Sequence, residues 1–405
     1  DTIYGNDSNN TLSGGYGNDT LWGRGGNNTL IGGLNGYQIV LGAIVLGTTY
    51  SFALEGKTVS YVAQNGDTKA SVLKELENSF NSNNITNSYI VNDGEKLYIE
   101  TNSIISSNTN LTASSETFID IVDYSSNPYN GIKVDLTKTV EQVYDNGNGG
   151  KDTLIGIEQI KGSNYADAFI GSSSSNDTIY GGLGNDTFRG LGGDDTFYGE
   201  GGDDLFISSY DDGNNTYYGG TTDEVNGDTV DYSGITDSQY KVIGDLNNST
   251  ISVYNSDATP VLQKTDTIYD IENLTGGSGD DTLTGNASKN TIKGGDGNDT
   301  IYLTAGGDRL FGEGGNDTFI FQSGVDGVGT VIDGGTASQT TGDTIDYSAL
   351  TDKVSLRLMG SSYSSVTLGA ESNHHSIRNI NNVIGSQVDD TIEGDQENNI
   401  LDGNS

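Results

Sequence analysis

The chain has 405 residues and carries 57 Asp and Glu against 18 Lys and Arg, a formal net charge of −39. Apolar residues make up only 32 %, with 60 Gly, 2 Pro, 2 His and no Cys, so a compact fold needs something outside the chain to neutralise its acid. That excludes nucleic acid as a partner, because no basic patch meets phosphates. It also excludes disulfide frameworks, thiolate metal sites and thiol catalysis. A membrane-spanning helix is excluded too: the most apolar run, Ile39 to Leu46, is interrupted by Gly42 and is far short of about 20 residues. The chain starts at Asp1 rather than Met, and both ends fall inside a repeat, which reads as a piece cut from something longer.

A nine-residue period opens the chain at 1–36. Gly14 to Trp22 reads G-G-x-G-x-D-x-U-x, where U is a large apolar residue, and units beginning at Gly181, Gly276 and Gly294 repeat it. A sister form, G-x-G-G-x-D-x-U-x, begins at Gly190, Gly199 and Gly312, and Gly23 opens a version with Asn28 in the Asp place. Six Gly-rich residues turn tightly because Gly tolerates positive φ, and x-U-x then forms a short strand with U on one face. Two units make one coil of 18 residues, so Asp n lies beside Asp n+18. The regular U series (Leu21, Phe188, Phe197, Phe206, Leu283, Ile301, Leu310, Phe319) argues for stacked coils and against a flexible linker.

Residues 37–117 break this pattern. Tyr50–Leu54 and Thr58–Val62 flank Glu55-Gly56, a hairpin signal. Asp67 or Thr68 can cap a helix running to about Asn81 with Leu73, Leu76 and Phe80 on one face, and a second hairpin turns at Asp93-Gly94. Strand, strand, helix, strand, strand describes a small inserted α+β domain, either a spacer or a contact domain.

A longer period follows. Val122-Asp123-Tyr124-Ser125, Val230-Asp231-Tyr232-Ser233 and Ile345-Asp346-Tyr347-Ser348 each precede alternating, strand-like sequence. The returns Ile157-Glu158, Ile271-Glu272 and Ile380-Asn381 lead back into the nonapeptides. Asp123, Asp231 and Asp346 read as turn caps before metal ligands. The chain thus divides into a partial roll (1–36), the insert (37–117), two modules of β segment plus roll (118–225 and 226–340), and a β segment with the start of a further roll (341–405). The fold class is all-β, a parallel β-roll in blocks joined by β-rich segments, with the one inserted domain.

Pairing by 18 couples Asp1 with Asp19, Asp177 with Asp195, Asp186 with Asp204, Asp281 with Asp299, Asp299 with Asp317, and Asp308 with Asp326. Asn290 with Asp308, and Asn10 with Asn28, are weaker versions. The step from Asp167 to Asp177 is ten, which should bulge one turn, and Asp390 has Asn399 nine later. Carboxylates among turn carbonyls make an all-oxygen cage that suits Ca²⁺. Mg²⁺ keeps its waters, and zinc lacks its N and S ligands.

On these units the chain resembles the repeats-in-toxin (RTX) family of secreted bacterial proteins. The resemblance implies a parallel β-roll with Ca²⁺ in its turns, unfolding without Ca²⁺, and type I export. It also implies ligation by Gly carbonyls at the second and fourth places: Gly15 and Gly17, Gly182 and Gly184, Gly277 and Gly279, Gly295 and Gly297, with Gly193, Gly202 and Gly315 at the fourth place of the sister form.

No catalytic constellation is legible. His374 and His375 are adjacent, so a strand would point them to opposite faces, and no G-x-S-x-G or H-E-x-x-H occurs. Most Tyr and Trp22 sit beside U and should face outward. The expected function is a structural, Ca²⁺-dependent region of an extracellular or cell-surface protein, of the surface-layer or adhesin kind, meeting other copies or a surface ligand. The alternative is the accessory region of a type I secreted enzyme or toxin, although the family's enzyme tails are usually one uninterrupted roll.

Overall fold

The computed structural model describes residues 1–404 apart from 16, 34–35, 42–43, 55–56, 84–88, 93–95, 101–105, 108–110, 117–118, 129, 258, 326, 337–339 and 370. The described chain is almost entirely β with one helix, and it packs as two units: residues 1–124 with 148–160, and residues 125–147 with 161–405.

In the first unit the nonapeptide strands stack in parallel at a spacing of 18. Thr2–Tyr4 pairs Thr20–Trp22 with Ile3 opposite Leu21, and Thr11–Ser13 pairs Thr29–Ile31 with Leu12 opposite Leu30. Both ladders are then extended by residues distant in sequence. Ile121–Asp123 continues the first, and Thr153–Ile155 continues the second. Leu21, Leu30, Val122 and Leu154 are buried between the two ladders.

The insert leaves the roll after Ile31 and rejoins it at Ile121. A four-stranded antiparallel sheet runs in the order 111–116, 36–41, 96–100, 89–92, and a three-stranded sheet in the order 106–107, 49–54, 57–62. Strand 36–41 and the edge strands 106–107 and 111–116 are elements that the sequence pattern did not reveal. The two expected turns lie outside the described residues, but their flanking strands pair as hairpins, Leu54 opposite Lys57 and Asn92 opposite Leu97. The helix spans Lys69–Ser82. Thr68 caps it, accepting from the Ser71 N–H while Ser71 Oγ accepts from the Thr68 N–H, a reciprocal pair that satisfies two otherwise orphaned donors. Val72, Leu73, Leu76 and Phe80 bury against Tyr50, Phe52, Val59 and Ile99.

The second unit is a longer roll of two parallel ladders. One runs through 178–183, 196–201, 216–222 and 262–269, then 282–284, 300–302, 318–320, 344–346, 382–384 and 400–402. The other runs through 133–135, 168–170, 187–189, 205–207, 229–231, 273–275, 291–296, 309–314, 331–333 and 371–378. The step of ten after Asp167 appears as pairing at 19, Ala168 opposite Thr187.

The β-rich segments join the roll blocks by being spliced into the ladders. Leu262–Tyr269 turns back antiparallel through 250–255 to 240–245, whose far edge pairs in parallel with Thr282–Thr284. Glu371–Arg378, 364–368 and 354–357 do the same in the other ladder, ending on Thr391–Glu393. Strands 229–231 and 344–346 are coils of the roll, so the ladders run unbroken past 225/226 and 340/341. Asp231 and Asp346 accept from the Ser233 and Ser348 N–H groups, 2.8 Å each, which starts the departing turn.

The U residues fill the interior. Phe188 stacks on Phe169 and Phe206 at 5.1 Å, and Phe197 stacks on Tyr217 at 6.1 Å. Outside, Tyr180, Tyr198, Tyr218 and Tyr269 form a continuous stack at 4.5–4.6 Å. Tyr217, in a U place, and Tyr124, Tyr232 and Tyr347, two residues past one, are buried. A Phe188→Ala change should cost about 3–5 kcal/mol, the usual range for an emptied aromatic site, read as the shift in urea midpoint at saturating Ca²⁺. An unshifted midpoint would contradict this account of the core.

Candidate metal centres in the turns

Each repeat carboxylate first does a structural job. Its Oδ1 accepts the backbone N–H of the corresponding residue one coil earlier: Asp195 from Asp177 (2.8 Å), Asp204 from Asp186 (2.7 Å), Asp299 from Asp281 (2.8 Å) and Asp317 from Asp299 (2.9 Å). The Asp1 nitrogen reaches Asp19 in the same way. Five of the six pairs expected from the spacing of 18 are thus brought together.

What the second oxygen meets divides the turns into two kinds. Oδ2 of Asp19, Asp186, Asp195, Asp204, Asp228, Asp299 and Asp317 is buried without a hydrogen-bond donor. In these turns the residue after the first Gly is left-handed: Gly15 (φ 93), Gly182 (109), Leu191 (71), Glu200 (72), Gly220 (138), Gly295 (108) and Glu313 (71). Leu191, Glu200 and Glu313 hold this conformation at a cost on the order of 1–2 kcal/mol each, so the turn is enforced by its surroundings. At four other turns the second residue has ordinary φ and donates its own N–H to the carboxylate. Ser163, Ser172, Gly277 and Ser386 bind Oδ2 of Asp167, Asp177, Asp281 and Asp390 at 2.6–2.7 Å.

Several candidate ligands therefore differ from expectation. Asp167, Asp281 and Asp390 have both oxygens satisfied by N–H groups, the Oδ1 partners being Ile132, Val242 and Val354. Asp177 Oδ2 and Asp308 Oδ2 are likewise taken, the latter by Thr304 Oγ1 at 3.0 Å. Gly277 and Gly279 lack the positive φ that Gly15, Gly17, Gly182, Gly184, Gly193, Gly202, Gly295, Gly297 and Gly315 share. Asp326, expected to pair with Asp308, lies outside the described residues. The Asp308 N–H goes to Thr330 Oγ1 (3.2 Å), because the next apolar strand is Val331–Asp333 and that coil is four residues longer. At the weaker turns an amide does the work of an ion: Asn290 Nδ2 donates to the Glu272 carbonyl at 2.8 Å.

The open oxygens converge with carbonyls. A Cβ placed on Gly294 would lie 2.2 Å from Asp299 Oδ2 and 2.8 Å from the Gly312 carbonyl, and one on Gly312 would lie 2.1 Å from Asp317 Oδ2 and 2.4 Å from the Gly334 carbonyl. The first Gly is required because its missing side chain leaves this oxygen-lined space. Buried carboxylate and carbonyl oxygens without nitrogen or sulfur suit a hard cation of high coordination number, Ca²⁺.

The rows continue through residues the repeat pattern did not reveal. Asp19 passes its N–H to Asp120 and Asp120 to Glu158; Asp204 passes to Asp228 and Asp228 to Glu272; Asp317 passes to Asp343 and Asp343 to Asn381. Their signal was present as Asp followed by x-U, in Asp120-Ile121-Val122, Asp228-Thr229-Val230 and Asp343-Thr344-Ile345.

A second missed feature is polar and deep in the core. Tyr124 donates to Asp152 (2.8 Å), Tyr232 donates to Asp266, and Tyr347 meets His375 Nε2 at 2.7 Å. Beside Asp266, the buried Lys264 ammonium binds Asp212, Asp266 and Ser208 Oγ, a cation supplied by the chain itself. His374 and His375 are both buried with their Nδ1 atoms 3.1 Å apart, contrary to opposite faces. The register of their strand shifts opposite Val366/Leu368, and a bulge breaks strict alternation.

Burial, reinforced by neighbouring carboxylates, pushes the ion-free turn carboxyls upward: Asp186 and Asp299 to about 9, Asp228 to about 8, and Asp195 and Asp204 to about 7. Folded carboxyls then bind protons that the unfolded chain releases near pH 4, so ion-free stability falls as pH rises from about 4 through 9.

The chain matches a family model described as RTX calcium-binding nonapeptide repeat (4 copies) at residues 1–36, 153–185, 171–206, 269–301, 294–328 and 380–405. No curated protein matches it.

In chelator, β structure measured by circular dichroism should be greater at pH 4 than at pH 8; equal content at both, or more at pH 8, would contradict the turn electrostatics. Asp299→Asn should remove bound Ca²⁺ and raise the Ca²⁺ midpoint of folding, whereas Asp390→Asn should leave the ion count unchanged. Equal losses from both, measured by native mass spectrometry, would show that the two kinds of turn do not differ in binding.

Proposed function

With a region of RTX calcium-binding repeats as the premise, we propose that this chain is a non-catalytic, calcium-braced scaffold of a bacterial protein displayed outside the cell, of the surface-layer or adhesin kind. RTX nonapeptides bind several calcium ions and are typical of secreted proteins. The observation that supports a scaffold is the unbroken ladder with foreign elements spliced into it. Residues 36–116 leave and rejoin one roll, and two antiparallel meanders are built into the other. A roll that carries other elements along its length suits a structural surface protein better than an enzyme's tail.

The mechanism is coupled binding and folding. Inside the cell Ca²⁺ is scarce, and repulsion among the carboxylates keeps the chain open for export by a type I route. Outside, millimolar Ca²⁺ exceeds dissociation constants of ~10⁻⁴–10⁻³ M for extracellular modules and drives folding. The insert is then the contact domain, directed at other copies or a cell-surface ligand. Its folded core of a capped helix on two sheets supports that role over a spacer.

The test is assembly. At millimolar Ca²⁺ the chain should either form ordered sheets by electron microscopy or coat bacterial cells in a Ca²⁺-dependent pulldown, and deletion of 37–117 should abolish the contact. A chain that stays monomeric and binds no cell at any Ca²⁺ concentration would overturn the surface reading.

A further inference from the structure

One row of turn carboxylates passes through a junction that is not built as a nonapeptide. Asp204 hands on to Asp228, and Asp228 to Glu272, but the segment Gly219–Asp231 is four residues longer than a repeat and brings in Glu224. The geometry points to a Ca²⁺ site at this junction, formed by Glu224, Asp228 and Glu272, in which two glutamates join the open oxygen of the Asp228 turn. Glu224 and Asp228 lie outside every segment matched to the repeat family. The inference rests on the chemistry of these side chains and is independent of the surface role proposed above.

The three residues each offer one carboxylate oxygen, and these atoms lie within 4.8 Å of one another. Clustering of acids alone would mean little, but two of the oxygens lack any donor. Asp228 is fully buried; its Oδ1 accepts from the Asp204 N–H at 2.7 Å, while its Oδ2 has no partner. Glu224 Oε1 is also buried without a partner. Glu272 Oε2 accepts from the Asp228 N–H at 2.9 Å, which fixes its carboxylate beside the other two.

A carbonyl joins the set. A Cβ on Gly219 would lie 2.1 Å from both Asp228 Oδ2 and the Asp270 carbonyl oxygen, so those two atoms face the same space. The loop that delivers Glu224 is held independently. Asp203 Oδ1 accepts from the Val225, Asn226 and Gly227 N–H groups at 2.7–3.1 Å, and Asn273 Nδ2 donates to the Asn226 and Gly227 carbonyls. Glu224 and Glu272 line a cleft of about 790 Å³, which gives an ion a path in. Three carboxylates and a carbonyl are hard oxygen donors with no nitrogen or sulfur, the chemistry of Ca²⁺.

The third junction provides an internal contrast. There Asn381 stands where Glu272 does, accepting from the Asp343 N–H at 3.2 Å. Gln339 precedes Asp343 by four residues, as Glu224 precedes Asp228. By sequence alone, amides take two of the three places and leave a single carboxylate. By spacing alone, the first junction repeats the acidic set as Glu116, Asp120 and Glu158.

Crystals of the intact chain with Ca²⁺ exchanged for Tb³⁺ should show an anomalous peak between Glu224, Asp228 and Glu272, in addition to peaks in the repeat turns. Native mass spectrometry should find Glu224→Gln one Ca²⁺ short of the unaltered chain, with its circular dichroism unchanged. Peaks in the repeat turns but none at the junction would overturn the inference while leaving the repeat sites intact. An unchanged ion count in Glu224→Gln would overturn it as well. The diffraction arm uses the unaltered chain, so it decides the matter even if the variant misfolds.

Discussion

The hydrogen bond from a backbone N–H to the carboxylate one coil further on is the interaction on which the rest of this structure depends. It is directional, so Oδ1 of each repeat Asp sets the offset of 18 between coils and with it the register of both ladders. Making that bond draws a charge into a buried turn, where a left-handed second residue leaves Oδ2 without a donor. Burying an unpaired carboxylate costs several kcal/mol unless a cation or proton neutralises it. Register and ion demand therefore come from the same side chain, and a net charge of −39 is compatible with a closed roll only when cations enter it.

The chain meets that demand differently along its length. In turns whose second residue is Ser163, Ser172, Gly277 or Ser386, an N–H group takes the second oxygen. At Asn290 an amide nitrogen bonds a carbonyl directly. Inside the coil at Asp212 and Asp266, Lys264 brings a positive charge from the chain itself. In the corresponding place near Tyr347, His375 is buried, and its pKa is pushed down to about 3, which keeps it neutral. Where U residues give way to non-repeat sequence, the ladder survives because an antiparallel meander starts and ends on strands of the same sheet.

Much of this was legible because nine residues encode both a turn and a strand. The U positions, the coil of 18 and the irregular step after Asp167 follow from Asp and apolar spacing alone, and the helix from Thr68 and its apolar face. Which carboxylates keep an open oxygen was not legible: it depends on φ at the second residue, and Gly277 and Gly295 look identical in sequence while differing in conformation. Thr330 as the acceptor for the Asp308 N–H was hidden because spacing counts residues, whereas the ladder counts strands. The insert's strands at 36–41 and 111–116 pair with each other across 70 residues, which local pattern does not name. The burial of the tyrosines that follow Asp123, Asp231 and Asp346 was not legible, since only the assembled coil brings Asp152, Asp266 and His375 to their hydroxyls.

The central claim is that calcium in the turns holds the coils together. Its most direct test is a Ca²⁺ titration of chelator-stripped chain at neutral pH, followed by far-UV circular dichroism and hydrodynamic radius, with Mg²⁺ as the control. The account predicts a cooperative gain of β structure with compaction near ~10⁻⁴–10⁻³ M Ca²⁺ and no such transition with Mg²⁺. A chain whose spectrum and radius are the same with and without Ca²⁺ would contradict it.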